Sequence, residues 1–111
     1  GYLLPLERKH ASVLYKSLLH GLHLAKQGIR DADQLRMAIR AYIEKWELLS
    51  KPSAVEFRLV YVSVCSSSTF KELDGTVAAD VDCIACVTAM MGKARLIDNI
   101  RLEFGVRSLE K

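Results

Sequence analysis

With 111 residues, half of them apolar and 26% charged, the chain has the size and make-up of one globular domain spanning residues 1–111. A chain this long hides about 65% of its unfolded surface, enough for a single core without disulfide or metal staples. The formal charge of +3 is mild, and Lys and Arg are interleaved with Asp and Glu rather than gathered in a stripe, which speaks against a nucleic-acid partner.

The first half has helical period. From about Leu6 to Gln27, the residues Ala11, Leu14, Tyr15, Leu18, Leu22 and Ala25 fall on one face of a helix. Pro5 suits its first turn, and Gly28 is placed to cap its end in a left-handed conformation. Asp31, with Gln34 three residues on, reads as the N-cap of a second helix. Its apolar stripe is Leu35, Ile39, Tyr42, Ile43, Trp46 and Leu49, and Ser50-Lys51-Pro52-Ser53 ends it. Two stripes and a short link predict an antiparallel helix pair sharing one core.

The second half changes period. Phe57 to Val64 is rich in β-branched and aromatic residues and apolar in both phases, which predicts a central strand. Ser66-Ser67-Ser68-Thr69 and Leu73-Asp74-Gly75 read as turns or short helical pieces. Val81 to Met90 is a second strand, and Met91-Gly92-Lys93 a hairpin turn into a third, from Ala94 to about Phe104. Helices first and an antiparallel meander after them predict an α+β domain, a two-helix layer on a small three-stranded antiparallel sheet.

Asp98 is the anomaly of the last strand. Leu96, Ile100, Leu102 and Phe104 share one phase, with Arg95, Asn99, Arg101 and Glu103 in the other. Asp98 carries a charge into the apolar phase, which is costly unless something pairs with it. The expectation is a structural partner: a helix N-terminus, a turn backbone or an Arg. The alternative sets this end of the strand against another domain, with Arg95 and Asn99 presenting donors.

Other chemistry is sparse. Cys83 and Cys86, three apart, and His20 and His23, three apart, have the residue types for zinc. On a strand, however, residues three apart point to opposite faces, so small core cysteines and exposed histidines are the expectation. No glycine-framed elbow surrounds Ser66, Ser67 and Ser68, so turn capping is their expected work. There is no glycine-rich phosphate loop. Three cysteines, Cys65, Cys83 and Cys86, without framework spacing fit a reducing compartment, so the expected location is cytoplasmic. The longest apolar run, Val81 to Met91, is broken by Asp82 and is about half of the ~20 residues a membrane span needs.

The order of several short motifs resembles the C-terminal domain of the pantoate–β-alanine ligase family, from the start of the chain to about Ile100. Tyr2-Leu3 through Glu7-Arg8 is similar to the family's Tyr-Leu-Ser-Pro-Glu-Glu-Arg, with Leu4 and Leu6 standing at its Ser and first Glu. Tyr61-Val62-Ser63-Val64 resembles its Tyr-Val-x-Val strand and Thr69-Phe70 its Thr-Leu pair, while Ser66 stands where Asp is usual. Gly92 and Arg95-Leu96-Ile97-Asp98-Asn99 match its closing signature.

The resemblance implies a two-step ligase. Pantoate and ATP give pantoyl adenylate and pyrophosphate with magnesium assisting, and β-alanine displaces AMP to form pantothenate. It further implies that ATP is handled by an N-terminal Rossmann-like domain of the same enzyme, that the full-length protein is a homodimer, and that this domain is a lid. No catalytic, nucleotide-binding or metal residue of the family maps onto the chain, so an isolated domain without turnover is expected. The resemblance also places Gly1 just after the last nucleotide-binding motif. Arg95, Asp98 and Asn99 are the candidate interdomain or structural residues. The competing reading is a stand-alone α+β interaction module without catalysis.

Overall fold

The computed structural model describes residues 5–49 and 56–105, with side chains from residue 8 onward. Helix α1 spans Pro5–Lys26 and α2 spans Ala32–Leu49; strands β1, β2 and β3 span Phe57–Ser66, Cys83–Met91 and Ala94–Leu102. Pro5 opens α1, where its missing N–H costs nothing. Gly28 closes it at φ 102°, with its N–H on the Ala25 carbonyl at 3.0 Å and that of Ile29 on Leu24 at 3.1 Å. This is the paired-bond helix stop that needs a left-handed residue. The Asp31 carboxylate then accepts the Gln34 N–H at 3.0 Å and caps α2. The expected stop at Ser50-Lys51-Pro52-Ser53 lies outside the described residues.

Leu14 and Leu18 of α1 and Leu35, Ile39 and Ile43 of α2 are fully buried against Val64, Val87 and Met91 of the sheet. Each such side chain contributes about 1.5–3 kcal/mol by leaving water. The buried face of α1 is rotated from the expected one. Val13, Ser17 and Gly21 lie inside, while Tyr15 is exposed. The cause is close helix approach: a Cβ on Gly21 would lie 2.8 Å from Cδ1 and Cγ1 of Ile39. The Ser17 hydroxyl is satisfied internally, donating to the Leu14 carbonyl at 2.6 Å. In α2, Tyr42 and Leu49 likewise fall off the buried stripe, Leu49 being well exposed. Tyr42 packs instead against His20, ring centres 5.5 Å apart. His10 is the buried histidine, 4.8 Å from the Trp46 ring and 4.6 Å from that of Phe57.

The sheet is antiparallel in the order β1-β2-β3. The β2–β3 turn has two residues, Gly92 and Lys93, with Gly92 at φ 59°. β1 is therefore an edge strand and β2 the centre, contrary to the sequence expectation. The apolar residues in both phases of β1 have a different cause. Leu59 pairs with Ala89 and Tyr61 with Thr88, so Val60 has no partner and forms a bulge. The bulge switches the inward phase from Phe57 and Leu59 to Val62 and Val64, all of which pack into the helix-side core. Two apolar phases are one buried face read across a bulge.

The 67–82 connection is tied to the helix layer. The Ala32 N–H donates to the Gly75 carbonyl at 2.7 Å and the Val77 N–H to the Arg30 carbonyl at 2.8 Å. Arg30 donates to the carbonyls of Val77 at 3.1 Å and Ala78 at 3.0 Å and lies 4.4 Å over the Phe104 ring. Arg36 gathers Asp33, Glu72 and the Leu73 carbonyl.

Candidate functional site: the open sheet face

Both helices pack on one side of the sheet, against the core formed by Val62, Val64, Ala85, Val87, Ala89 and Leu96. Strand alternation turns the remaining residues to the other side, which carries no layer among the described residues. The register orders them in four rows: Arg58–Met90–Arg95, Tyr61–Thr88–Ile97, Ser63–Cys86–Asn99 and Cys65–Ile84–Arg101. Tyr61 is 44% and Ile97 61% exposed, on either side of a fully buried Thr88. The Thr88 hydroxyl is enclosed without a hydrogen-bond partner. Arg101 faces Asp82 at 3.5 Å. Arg58 and Arg95 flank Met90 without an acidic partner among the described residues. The face thus presents Tyr61 and Ile97 beside the polar Ser63 and Asn99, with Arg58 and Arg95 at one end and the Arg101–Asp82 pair at the other.

The three candidate residues of β3 do not share this face. Arg95 and Asn99 are on it and exposed, whereas Asp98 lies in the inward phase, half-buried. Its carboxylate accepts the Asn99 N–H at 2.8 Å. A two-residue turn makes Met91 and Ala94 a hydrogen-bonded pair, and alternation then leaves Asn99 opposite Cys86 as a non-bonded pair. The Asn99 N–H therefore points off the free edge of the sheet, where Asp98 meets it. The partner of Asp98 is the backbone of its own strand.

The β1 edge is closed in the same manner. The Leu73 N–H donates to the Val64 carbonyl at 2.9 Å, while Glu72 takes the Val64 N–H at 2.9 Å and the Ser63 hydroxyl at 2.5 Å. Partial burial pushes the Glu72 carboxyl up, but the hydrogen bonds from Ser63, Val64 and Arg36 and the charge of Arg36 outweigh it, and the net shift is downward.

The cysteines and histidines stay apart. Cys83 is buried on the helix side and Cys86 half-buried on the open face. Burial raises the pKa of both thiols, so neither is a ready thiolate at neutral pH. His23 turns to Gln27 at 3.1 Å, and among the described residues no three His, Cys, Asp or Glu side chains are grouped to hold a metal. Ser66 caps its turn, its hydroxyl accepting from the N–H groups of Ser68 and Thr69, each at 3.3 Å. Two features escaped sequence reading. Arg36 joins segments far apart in the chain, which no local pattern signals. Phe70 sits at φ 59° in that turn, 74% exposed. A turn-rich run ending in an aromatic was the only hint of it.

No described helix is long and apolar enough to cross a membrane. The family model for pantoate–β-alanine ligase matches residues 1–101. The pantothenate synthetase of Syntrophus aciditrophicus is 36% identical over 98 residues, covering 88% of this chain and 30% of that protein. That of Desulfovibrio desulfuricans is 38% identical over 102 residues, 91% of this chain and 32% of its own. A bifunctional pantoate ligase/cytidylate kinase from a Synechocystis strain is 29% identical over 101 residues, 91% of this chain and 18% of its own. The chain spans about a third or less of the length of these relatives, and with a match over residues 1–101 it belongs to the pantoate–β-alanine ligase family.

Proposed function

We propose that the chain is the C-terminal lid domain of an ATP-dependent ligase that joins pantoate to β-alanine through a pantoyl adenylate. The observation that carries this is the family match over residues 1–101, against relatives of which the chain spans only 30–32%. The open sheet face supports the lid role. A pre-folded layer that presents Tyr61 and Ile97 with Arg58 and Arg95 at one end, lowered onto the rest of the enzyme, would shut water away from the mixed anhydride. Arg95 and Asn99 are the donors this chain brings to that contact, and Asp98 keeps the edge beside them closed.

ATP and magnesium belong to the remainder of the enzyme. The chain's own contribution is to exclude water and to position that remainder. The complete enzyme is a cytoplasmic homodimer, joined through its N-terminal part.

The test is AMP release from ATP, pantoate and β-alanine by this chain and by a version extended upstream to the complete ligase. Turnover by the extended version alone supports the lid. Inactivity of both, with both folded, favours an interaction module that kept the fold without the chemistry.

A further inference from the structure

The end of β1 and residues 71–73 form a small hairpin, closed by the Ser66 N–H on the Lys71 carbonyl at 3.0 Å. Ser67, Ser68, Thr69 and Phe70 make its loop. The Phe70 N–H donates to the Ser66 carbonyl at 2.8 Å, and this bond, with the Ser66 hydroxyl caps, holds Phe70 at φ 59°. Gly or Asn takes that conformation easily; an aromatic residue takes it only under constraint. Among the described residues Phe70 is the one non-glycine residue at positive φ. Its ring is nevertheless 74% exposed. Met37 and Leu48 are also exposed, but they ride on the regular backbone of α2. Phe70 combines a left-handed backbone, held by the Ser66 turn, with a largely exposed apolar ring that has no aromatic partner among the described residues.

Strained backbone positions cluster at functional sites. We propose that Phe70 is a preorganised anchor, held out by its turn for insertion into an apolar pocket on the part of the ligase outside this chain. Ser68, Thr69 and Lys71, all exposed, give the ring the polar rim of a single-residue hot spot. The rigid turn removes much of the ordering cost of docking. The occupant is the remaining polypeptide because the relatives extend well beyond the third that this chain covers. The inference rests on reading the chain as one domain of that larger enzyme.

The experiment measures amide hydrogen exchange of residues 66–73 in the complete ligase and in the 111-residue chain, for the wild type, Phe70→Asn and Phe70→Leu. Asn tolerates the left-handed turn, so that variant keeps the hairpin. Expected are loop exchange at least about tenfold slower in the complete wild-type ligase than in the chain alone, loss of that protection in Phe70→Asn, and its retention in Phe70→Leu. Equal exchange in both wild-type proteins, or undiminished protection in Phe70→Asn, overturns the anchor. Protection of the chain alone that grows with its concentration also overturns it, by assigning the ring to a second copy. Ligase turnover of the complete wild type is read separately. Its absence would count against the proposed reaction, while loop protection would still decide the anchor.

Discussion

The amide of Gly105 donates to the Ala25 carbonyl at 2.9 Å, which fastens the chain beyond β3 to the last turn of α1. Lys26 and Glu103, 3.6 Å apart, sit beside this contact. A Cβ on residue 105 would stand 1.7 Å from the Lys26 carbonyl oxygen, an impossible approach to a backbone atom. Gly105→Ala should therefore break the fastening and lower stability by about 2 kcal/mol or more. Urea denaturation checks it, and an unchanged midpoint would show that this seam carries no load.

Thr88 leads to a prediction of opposite sign. Its hydroxyl is enclosed without a partner, a desolvation cost that Val of the same shape does not incur. Thr88→Val should raise the stability of the chain by about 1 kcal/mol, read from the same denaturation curves. A loss of stability would mean that the hydroxyl has a partner in solution.

Glu72 gives a pH dependence. Its pKa in the folded chain lies below the ordinary 4.5. Below that lowered value the carboxyl is protonated in both folded and unfolded states, so the group contributes nothing. Above 4.5 it is ionised in both, and its full contribution is present. Stability should therefore fall as the pH drops from 4.5 through the lowered folded value. Glu72→Gln should be less stable at pH 7 by about 0.5–1 kcal/mol, discounted because the side chain is 46% exposed. The difference should close at strongly acid pH. A gap that stays constant from pH 7 to pH 3 would sink the assignment.

Gly21→Ala weighs two effects against each other. Alanine favours a helix interior by about 0.5–1 kcal/mol, but its methyl would press on Ile39 at 2.8 Å. Because Ile39 is fully buried, it has little room to retreat, and net destabilisation of about 1 kcal/mol is expected. Adding Ile39→Val, which removes one methyl, should recover part of it in a double-mutant cycle.

The two helices, the caps at Gly28 and Asp31 and the three strands were legible because each rests on a local signal: Gly28 after a stripe, Asp31 before one, Gly92 between two alternating runs. The seating of the helices was not, because Gly21 sets it through a contact with another element, and so Tyr15 ended outside and Ser17 inside. β1 misled for a similar reason. A bulge at Val60 shifts the phase, and nothing in a single strand's composition separates that from burial on both faces. At the candidate site, Asp98 was visible as an anomaly. Its explanation needed the hairpin register, which shows which N–H groups face outward. Arg36 and Glu72, 36 residues apart, carried no signal at all.

The two edge carboxylates have a consequence for how the molecule behaves in a crowd. A three-stranded sheet offers a row of unused backbone donors on each side, and a second chain could extend it from either. Glu72 occupies the Val64 donor on one flank and Asp98 the Asn99 donor on the other, so a strand arriving at either meets negative charge where it needs a free N–H. Asp98→Ala should thus leave the melting temperature nearly unchanged while light scattering at high concentration rises. The charge that looked misplaced in a strand sits where a neighbouring chain would have to bond.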